Sequence, residues 1–175
     1  MSETGTVSEV PRTENSAQKY LEKIGPVDRA NIELISKTFS AVLSQEGETG
    51  FITAVGGTVR HNNPQERKDI DLLVGVKKDI GDISNLTDLE IYEKRYDLWK
   101  STILKVIEPL KLKGVMPEEE MVYPDHEREK RAANDGKFSL NFPTGRVIEL
   151  LCHQGTEITP NLIELFSNIE PVKAA

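Results

Sequence analysis

The most informative stretch of this sequence reads Gly56-Gly57-Thr58-Val59-Arg60, with Asp69-Ile70-Asp71 shortly after it. The residues before Gly56 are mostly β-branched or apolar and are bounded by glycines, which predicts a strand over residues 51–55. A strand that ends in two glycines and leads into a helix is a known arrangement for holding anions. The glycines let the backbone approach a phosphate, and the unpaired N–H groups of the helix start face it. Two adjacent glycines also occur in many ordinary turns, so alone they are weak evidence.

Asp69 and Asp71 add a second, independent signal. Residues two apart on a strand point to the same face, with Cα atoms roughly 6.5 Å apart. Two carboxylates placed in this way can bracket metal ions that lie about 3.5–4 Å from each other. Two like charges on the otherwise apolar strand predicted over residues 70–76 are costly unless a cation lies between them, and magnesium with nucleotide phosphates would supply it. The alternative is a strand end at which the aspartates are solvated or cap a turn.

Glu149 is the third carboxylate of interest. It lies inside the apolar run Val147-Ile148-Glu149-Leu150-Leu151. A carboxylate in a buried strand needs a partner. Beside the aspartate strand it would complete a cage of three carboxylates. The alternatives are a salt bridge to Arg146 or another basic residue, or exposure on an edge strand.

Together these segments resemble the head-domain signature of the nucleotidyltransferase superfamily. They are most similar to the branch of CCA-adding tRNA nucleotidyltransferases and bacterial poly(A) polymerases, which shows Gly-Gly-x-Val-Arg-Asp and then Lys-Asp-Ile-Asp. The resemblance implies transfer of a nucleoside monophosphate from an NTP to an acceptor hydroxyl, with two Mg²⁺ ions. It implies triphosphate binding by Gly56, Gly57, Thr58 and Arg60, and catalysis and metal binding by Asp69, Asp71 and Glu149.

The chain departs from that branch in ways that bear on its substrate. His61 stands where the branch has Asp after the Arg. No ribose-binding or base-templating motif is recognisable, and the chain is too short for the neck, body and tail domains that grip tRNA. We therefore expect a stand-alone minimal transferase rather than CCA addition. Its acceptor is not specified by the sequence and could be an RNA, a protein or a small molecule.

Two other functions compete with this interpretation. A magnesium nuclease also uses Asp, Asp and Glu, but such sites commonly place Glu-x-Lys on one strand, and Glu149 is followed by Leu150-Leu151. A catalytically silent nucleotide-binding or interaction module could keep the same fold. The presence of all three carboxylates argues mildly against the silent module.

The remaining pattern predicts an α/β or α+β domain with a nucleotidyltransferase-like mixed sheet flanked by helices. Apolar spacing predicts a helix over residues 16–24, a longer second helix that follows Gly25-Pro26 and ends near Gly47, and a third from Leu89 to Leu110. Residues 138–142 and 146–152 predict a hairpin around Pro143-Thr144-Gly145. Short helices are predicted over 127–133 and 161–168, and Glu118-Glu119-Glu120 is interpreted as an acidic first helical turn. We expect a flexible tail over residues 1–15 and one domain over 16–175.

Composition narrows the partners and the compartment. The formal net charge of −7 argues against tight nonspecific binding of nucleic acid, whose phosphates attract basic surfaces. No apolar stretch approaches the roughly 20 residues of a membrane helix. Cys152 is the only cysteine, which excludes an intrachain disulfide and a cysteine-rich zinc site. A cytoplasmic protein that does not contact membranes is expected.

Several reactive residue types receive ordinary structural interpretations. His61, His126 and His153 lack metal-ligand spacing. Cys152 and Trp99 are expected in the core, because each lies in an apolar strand or helix stripe.

Overall fold

The structure is a computed structural model, and it describes residues 14–60, 63–121, 136–153 and 163–169. Its helices are α1 (Glu14–Ile24), α2 (Pro26–Glu46), α3 (Gly57–Arg60) and α4 (Asp88–Lys111), with a 3₁₀ turn at Pro64–Glu66. Its strands are β1 (Thr49–Val55), β2 (Asp69–Lys77), β3 (Met116–Met121), β4 (Gly136–Asn141), β5 (Val147–His153) and β6 (Ile163–Ser167). No helix among the described residues is both long and apolar enough to cross a membrane.

The six strands form one mixed sheet in the order β3-β4-β5-β2-β1-β6. Strands β2 and β5 are parallel, and every other neighbouring pair is antiparallel. The predicted mixed sheet with flanking helices is therefore confirmed, as are the adjacency of β1 and β2 and the β4–β5 hairpin. Strand β2 lies between β5 and β1, as its apolar sequence predicted.

One face of this sheet forms the core. Ile70, Leu72 and Val74 alternate along β2 and are fully buried, together with apolar residues of α2 and α4. Trp99 is buried and its Nε1–H donates to the Val74 carbonyl at 2.9 Å. Cys152 is buried as predicted. Because side chains alternate along a strand, Asp69, Asp71 and Leu73 project from the opposite face, away from these helices.

Helix α4 begins where its sequence supplies a complete N-terminal cap. The backbone N–H of Glu90 donates to the Thr87 hydroxyl, and the Glu90 carboxylate accepts from the backbone N–H of Thr87. This capping box satisfies two amides that a helix start would otherwise leave unpaired. The apolar stripe predicted for this helix then places Tyr96, Trp99 and Ile103 in the core.

Two predicted elements are wrong. Residues 161–168 were predicted as a helix, but Ile163–Ser167 is strand β6, which pairs antiparallel with β1. Apolar residues in this short segment fit either period, and pairing with β1 together with the edge-on contact of Phe166 with Phe39 favours the strand.

Glu118-Glu119-Glu120 is likewise not a helical turn but the centre of β3. Glu119 faces α4, where it accepts from the Tyr96 hydroxyl at 3.2 Å and pairs with Lys100 at 2.6 Å. These cross-element contacts override the poor strand propensity of glutamate. The helix predicted over 127–133 lies outside the described residues, and so does most of the predicted tail, since α1 already begins at Glu14.

Candidate functional site

Asp71 and Glu149 lie side by side on the open face of the sheet. They are register partners on the parallel strands β2 and β5, and Val55 is the partner of Asp71 on β1. Residues directly opposite each other on paired strands project from the same face. The sheet therefore brings together two carboxylates that are far apart in sequence.

The two carboxylates interact strongly enough to change the acidity of Asp71. Burial is the largest cause that raises the pKa of Asp71, followed by a hydrogen bond with Glu149 and by the negative charges of Glu149 and Asp69. Their sum brings its pKa to about 6, although the positive charge of Lys137 acts in the other direction. A half-buried carboxylate beside two other negative charges is a site where an added cation would relieve repulsion.

Lys137 already supplies one positive charge to this pair. Its ammonium donates to Glu149 Oε1 at 2.9 Å, and Ser139 Oγ lies 3.5 Å from the same oxygen. The salt bridge that the sequence allowed as an alternative for Glu149 therefore exists, with Lys137 rather than Arg146 as the partner. That hydrogen bond is also the main reason why the pKa of Lys137 is raised.

Asp69 is the first residue of β2 and is exposed. It shares the face of Asp71, but within the described ranges no group of three or more acidic, histidine or cysteine side chains is placed to hold a metal ion. The described residues of the site therefore contain one pair of adjacent carboxylates, Asp71 and Glu149. Asp69 as a further ligand stays a prediction.

Gly56 allows the glycine turn to lie directly against Asp71. Its φ is +74°, a value that residues with a side chain rarely adopt. A Cβ atom at this position would overlap Asp71 Oδ2 and lie 3.0 Å from Asp71 Cγ. The motif glycine and the motif aspartate are therefore in direct contact.

Gly57 makes room for a different side chain. A Cβ atom at Gly57 would lie 2.9 Å from Nε of Arg67, so the guanidinium of Arg67 packs on this glycine. Arg60, the cation that the sequence singled out, is exposed at the end of α3. Arg67 lies between the glycine turn and Asp69 in the sequence, and no role was predicted for it from the sequence. Its position brings a positive charge to the glycine turn.

Thr58 has a structural role that the sequence did not indicate. It is buried, and its hydroxyl lies 2.8 Å from the hydroxyl of Tyr20 in α1. Helix α3 contains only four residues, so it is one turn rather than an extended helix with a large dipole. A nucleotide role for Thr58 would have to use its backbone, since its side chain ties the turn to α1.

Arg146 is the anchor that holds this region together. Its Nε donates to Asp28 Oδ2 at 2.7 Å and its backbone N–H to Asp28 Oδ1 at 2.8 Å. Its two terminal nitrogens donate to the carbonyls of Ile24, Pro64 and Arg67. One side chain thus connects α1, α2 and β5 to the segment that precedes Asp69. No local pattern reveals this role, because every partner is distant in sequence.

The donor set fits a hard divalent cation. Carboxylate oxygens are the ligands that Mg²⁺ prefers, and Asp71 and Glu149 present them side by side. The missing side chain at Gly56 leaves room for the Asp71 carboxylate itself, which a Cβ at this position would overlap. A cation bound by both carboxylates would lie close to the Lys137 ammonium, which already pairs with Glu149.

Gly56→Ala tests the contact between turn and strand. The added methyl group requires an unfavourable φ and collides with the Asp71 carboxylate, so we expect a loss of about 1–3 kcal/mol in the free energy of unfolding. Chemical denaturation of the purified variant measures it. Gly81→Ala is the control, because Gly81 also has positive φ but only the end of the Lys94 side chain lies near. If both variants lose the same stability, the collision with Asp71 has no measurable effect.

The raised pKa of Asp71 predicts a pH dependence of stability. Because the folded-state pKa is about 6 and the ordinary value 3.8, the folded protein holds this proton more tightly than the unfolded chain does. The resulting stabilisation is complete below pH 4 and is lost as the pH rises through 6. Asp71→Asn should therefore be more stable than wild type at pH 8, by on the order of 1 kcal/mol for a partly screened group, and show no such gain at pH 4.

Denaturation in EDTA at both pH values measures this difference. Asp97→Asn, at an exposed position of α4, is the charge-matched control. An Asp71→Asn variant less stable than wild type at pH 8 would mean that the Asp71 carboxylate stabilises the fold.

Comparison with known proteins gives one distant likeness. No protein-family model matches the chain, and no curated protein matches it significantly. The chain is similar to a solved structure of the non-canonical poly(A) polymerase complex GLD-2 - GLD-3, with 14% sequence identity and a TM-score of 0.35. The match covers 79% of this chain and 39% of that chain, so this chain spans about two-fifths of its length.

Proposed function

We propose that this protein is a magnesium-dependent nucleotidyltransferase that transfers a nucleoside monophosphate from an NTP to an acceptor hydroxyl. The observation that carries the proposal is the carboxylate pair of Asp71 and Glu149, in which Asp71 lies directly against Gly56. The sequence motif contributes Asp71 and Gly56, and the parallel pairing of β2 with β5 contributes Glu149. A carboxylate pair next to a glycine turn suits a ligand that brings divalent cations and phosphates together.

The reaction requires one bond to form and one to break. The acceptor oxygen bonds to the α-phosphorus of the NTP. The bond between this phosphorus and the oxygen that bridges the α- and β-phosphates breaks, and pyrophosphate leaves. When bound at Asp71 and Glu149, divalent cations would lower the pKa of the acceptor hydroxyl and stabilise the charge of the leaving pyrophosphate. The acceptor proton passes to solvent or to one of these two carboxylates.

The chain's own residues position the substrates. Gly56 and Gly57 let the triphosphate approach the backbone, while Arg60 and Arg67 offer positive charge at the same turn. Asp69 adds a further exposed carboxylate at the start of β2. Arg146 holds the carbonyls of Pro64 and Arg67 and so fixes the segment that carries Arg67 and leads to Asp69.

A screen for label transfer tests the proposal. Purified protein is incubated with each of the four α-labelled NTPs and with total RNA, cell-lysate protein or small-molecule extract, in Mg²⁺ or in EDTA. We expect label to move to one acceptor class, only with Mg²⁺ and not with Asp71→Asn. Failure to transfer label, together with failure to bind any NTP in Mg²⁺, would reject the proposal.

A second candidate is a silent nucleotide-binding or interaction module with the same fold. It is favoured by the ion pair between Lys137 and Glu149, together with the lack, among the described residues, of a group of three side chains placed to hold a metal ion. NTP binding without metal dependence and without label transfer would support this candidate.

A further inference from the structure

Lys137 lies between two carboxylates on the open face of the sheet. Its ammonium is 2.9 Å from Glu149 Oε1 and 3.6 Å from Glu120 Oε2. Glu120 is the register partner of Lys137 on β3, while Glu149 lies diagonally across β4 and β5. The two partners differ in environment, because the side chain of Glu149 is 16% exposed and that of Glu120 is 64% exposed.

We propose that Lys137 is a resident counter-ion that competes with a divalent cation for Glu149. The proposal rests on the metal site of the proposed function and adds a residue outside the sequence motif. Lys137 contacts an oxygen of the carboxylate predicted to bind metal, so a cation held by that carboxylate would lie close to the ammonium, and the two would compete for the same negative charge. Two positive charges a few ångströms apart also repel each other strongly where solvent screening is incomplete.

Glu120 gives Lys137 a second partner when a cation arrives. The ammonium is already within 4 Å of this exposed carboxylate, so a small rotation of the lysine side chain exchanges one ion pair for another. When Lys137 pairs with the solvated Glu120 instead, the more buried carboxylate of Glu149 is free to bind the cation. Lys137 would in this way keep Glu149 neutralised in the metal-free protein and lower the affinity of the site for a lone divalent cation.

Metal titration of variants that remove the lysine charge tests the competition. Mn²⁺ binding is followed by electron paramagnetic resonance of the free ion, without nucleotide, for wild type and Lys137→Met. We expect Lys137→Met to bind Mn²⁺ about tenfold more tightly, because one positive charge next to the site is removed.

Lys100→Met is the matched control. Lys100 also pairs with a β3 glutamate, at 2.6 Å, but on the face that packs against α4. This variant makes the same change in net charge and should bind Mn²⁺ as wild type does. The double variant Lys137→Met/Glu149→Gln should show no gain over Glu149→Gln alone, which ties the effect to that carboxylate.

The outcomes separate this inference from the proposed function. Mn²⁺ binding to wild type with equal or weaker binding to Lys137→Met overturns the competition and leaves the metal site standing. An equal gain in Lys100→Met also overturns it, since the effect would then be one of net charge. If none of the variants, including a folded Lys137→Met, binds Mn²⁺, the competition and the metal-dependent function are both wrong.

Discussion

Asp71→Asn is expected to reduce metal-dependent nucleotidyl transfer by about a thousandfold or more, because a metal clamp contributes several kcal/mol to transition-state stabilisation. Asparagine keeps the size of aspartate but removes a charge that would hold the cation. In the wild type, Asp71 is one of the two paired carboxylates, since it is the register partner of Glu149 and lies in contact with Gly56. The measurement is the initial rate of label transfer at saturating NTP.

Stability distinguishes a chemical role from a structural one. The same variant should unfold at a denaturant concentration no lower than wild type at pH 8, since it relieves the repulsion that raises the pKa of Asp71. Asp97→Asn should transfer label at the wild-type rate. An Asp71→Asn protein that retains full activity, or one that loses activity only because it unfolds, would remove Asp71 from the chemistry.

Arg146→Met is expected to lower the free energy of unfolding by about 3–5 kcal/mol, the loss typical when one partner of a buried ion pair is removed. The side chain of Asp28 is 9% exposed and that of Arg146 is 16% exposed. The variant leaves the Asp28 carboxylate without its ion-pair partner and removes the donors to the carbonyls of Ile24, Pro64 and Arg67. Urea denaturation at pH 7 measures the difference.

An exposed ion pair in α2, the helix that carries Asp28, provides the control. Arg29 pairs with Glu33 at 2.8 Å with both side chains largely exposed, so Arg29→Met should change the stability very little. Arg146→Lys should recover only part of the loss, because a lysine ammonium cannot reproduce the planar set of guanidinium donors. Equal stability of Arg146→Met and Arg29→Met would contradict the anchoring role.

The parts of the fold that the sequence predicts are those with a strong local period or a clear boundary. Helix α4 has an apolar stripe and a complete capping box, and β2 is an apolar run that follows a charged segment. The edge strands β3 and β6 lack such signals. Half of the residues of β3 are glutamates, of which Glu119 contacts Lys100 and Tyr96 and Glu120 contacts Lys137. Strand β6 depends on pairing with β1. Contacts between distant elements decide both.

Some residues of the candidate site can likewise be predicted from the sequence, while others depend on contacts between distant elements. The motif indicates Asp71 and Gly56, and the hairpin turn centred on Thr144 is enough to place Ser139 opposite Glu149. Counting two residues further along β4 would have identified Lys137 as the diagonal neighbour of Glu149. Arg146 could not be found in this way, because its partners are assembled from α1, α2 and the segment before β2. The hydrogen bond of Thr58 with Tyr20 likewise depends on how α1 packs.

The most direct test of the central claim, that Asp71 and Glu149 hold a divalent cation, is anomalous diffraction from crystals containing Mn²⁺ and a non-hydrolysable NTP. We predict a manganese peak between these two carboxylates, with metal–oxygen distances of roughly 2.1 Å, similar to those of Mg²⁺. The Lys137 ammonium should have moved from Glu149 toward Glu120. A structure with bound nucleotide, no peak beside Asp71 and Lys137 still paired with Glu149 would contradict the claim and favour the silent module.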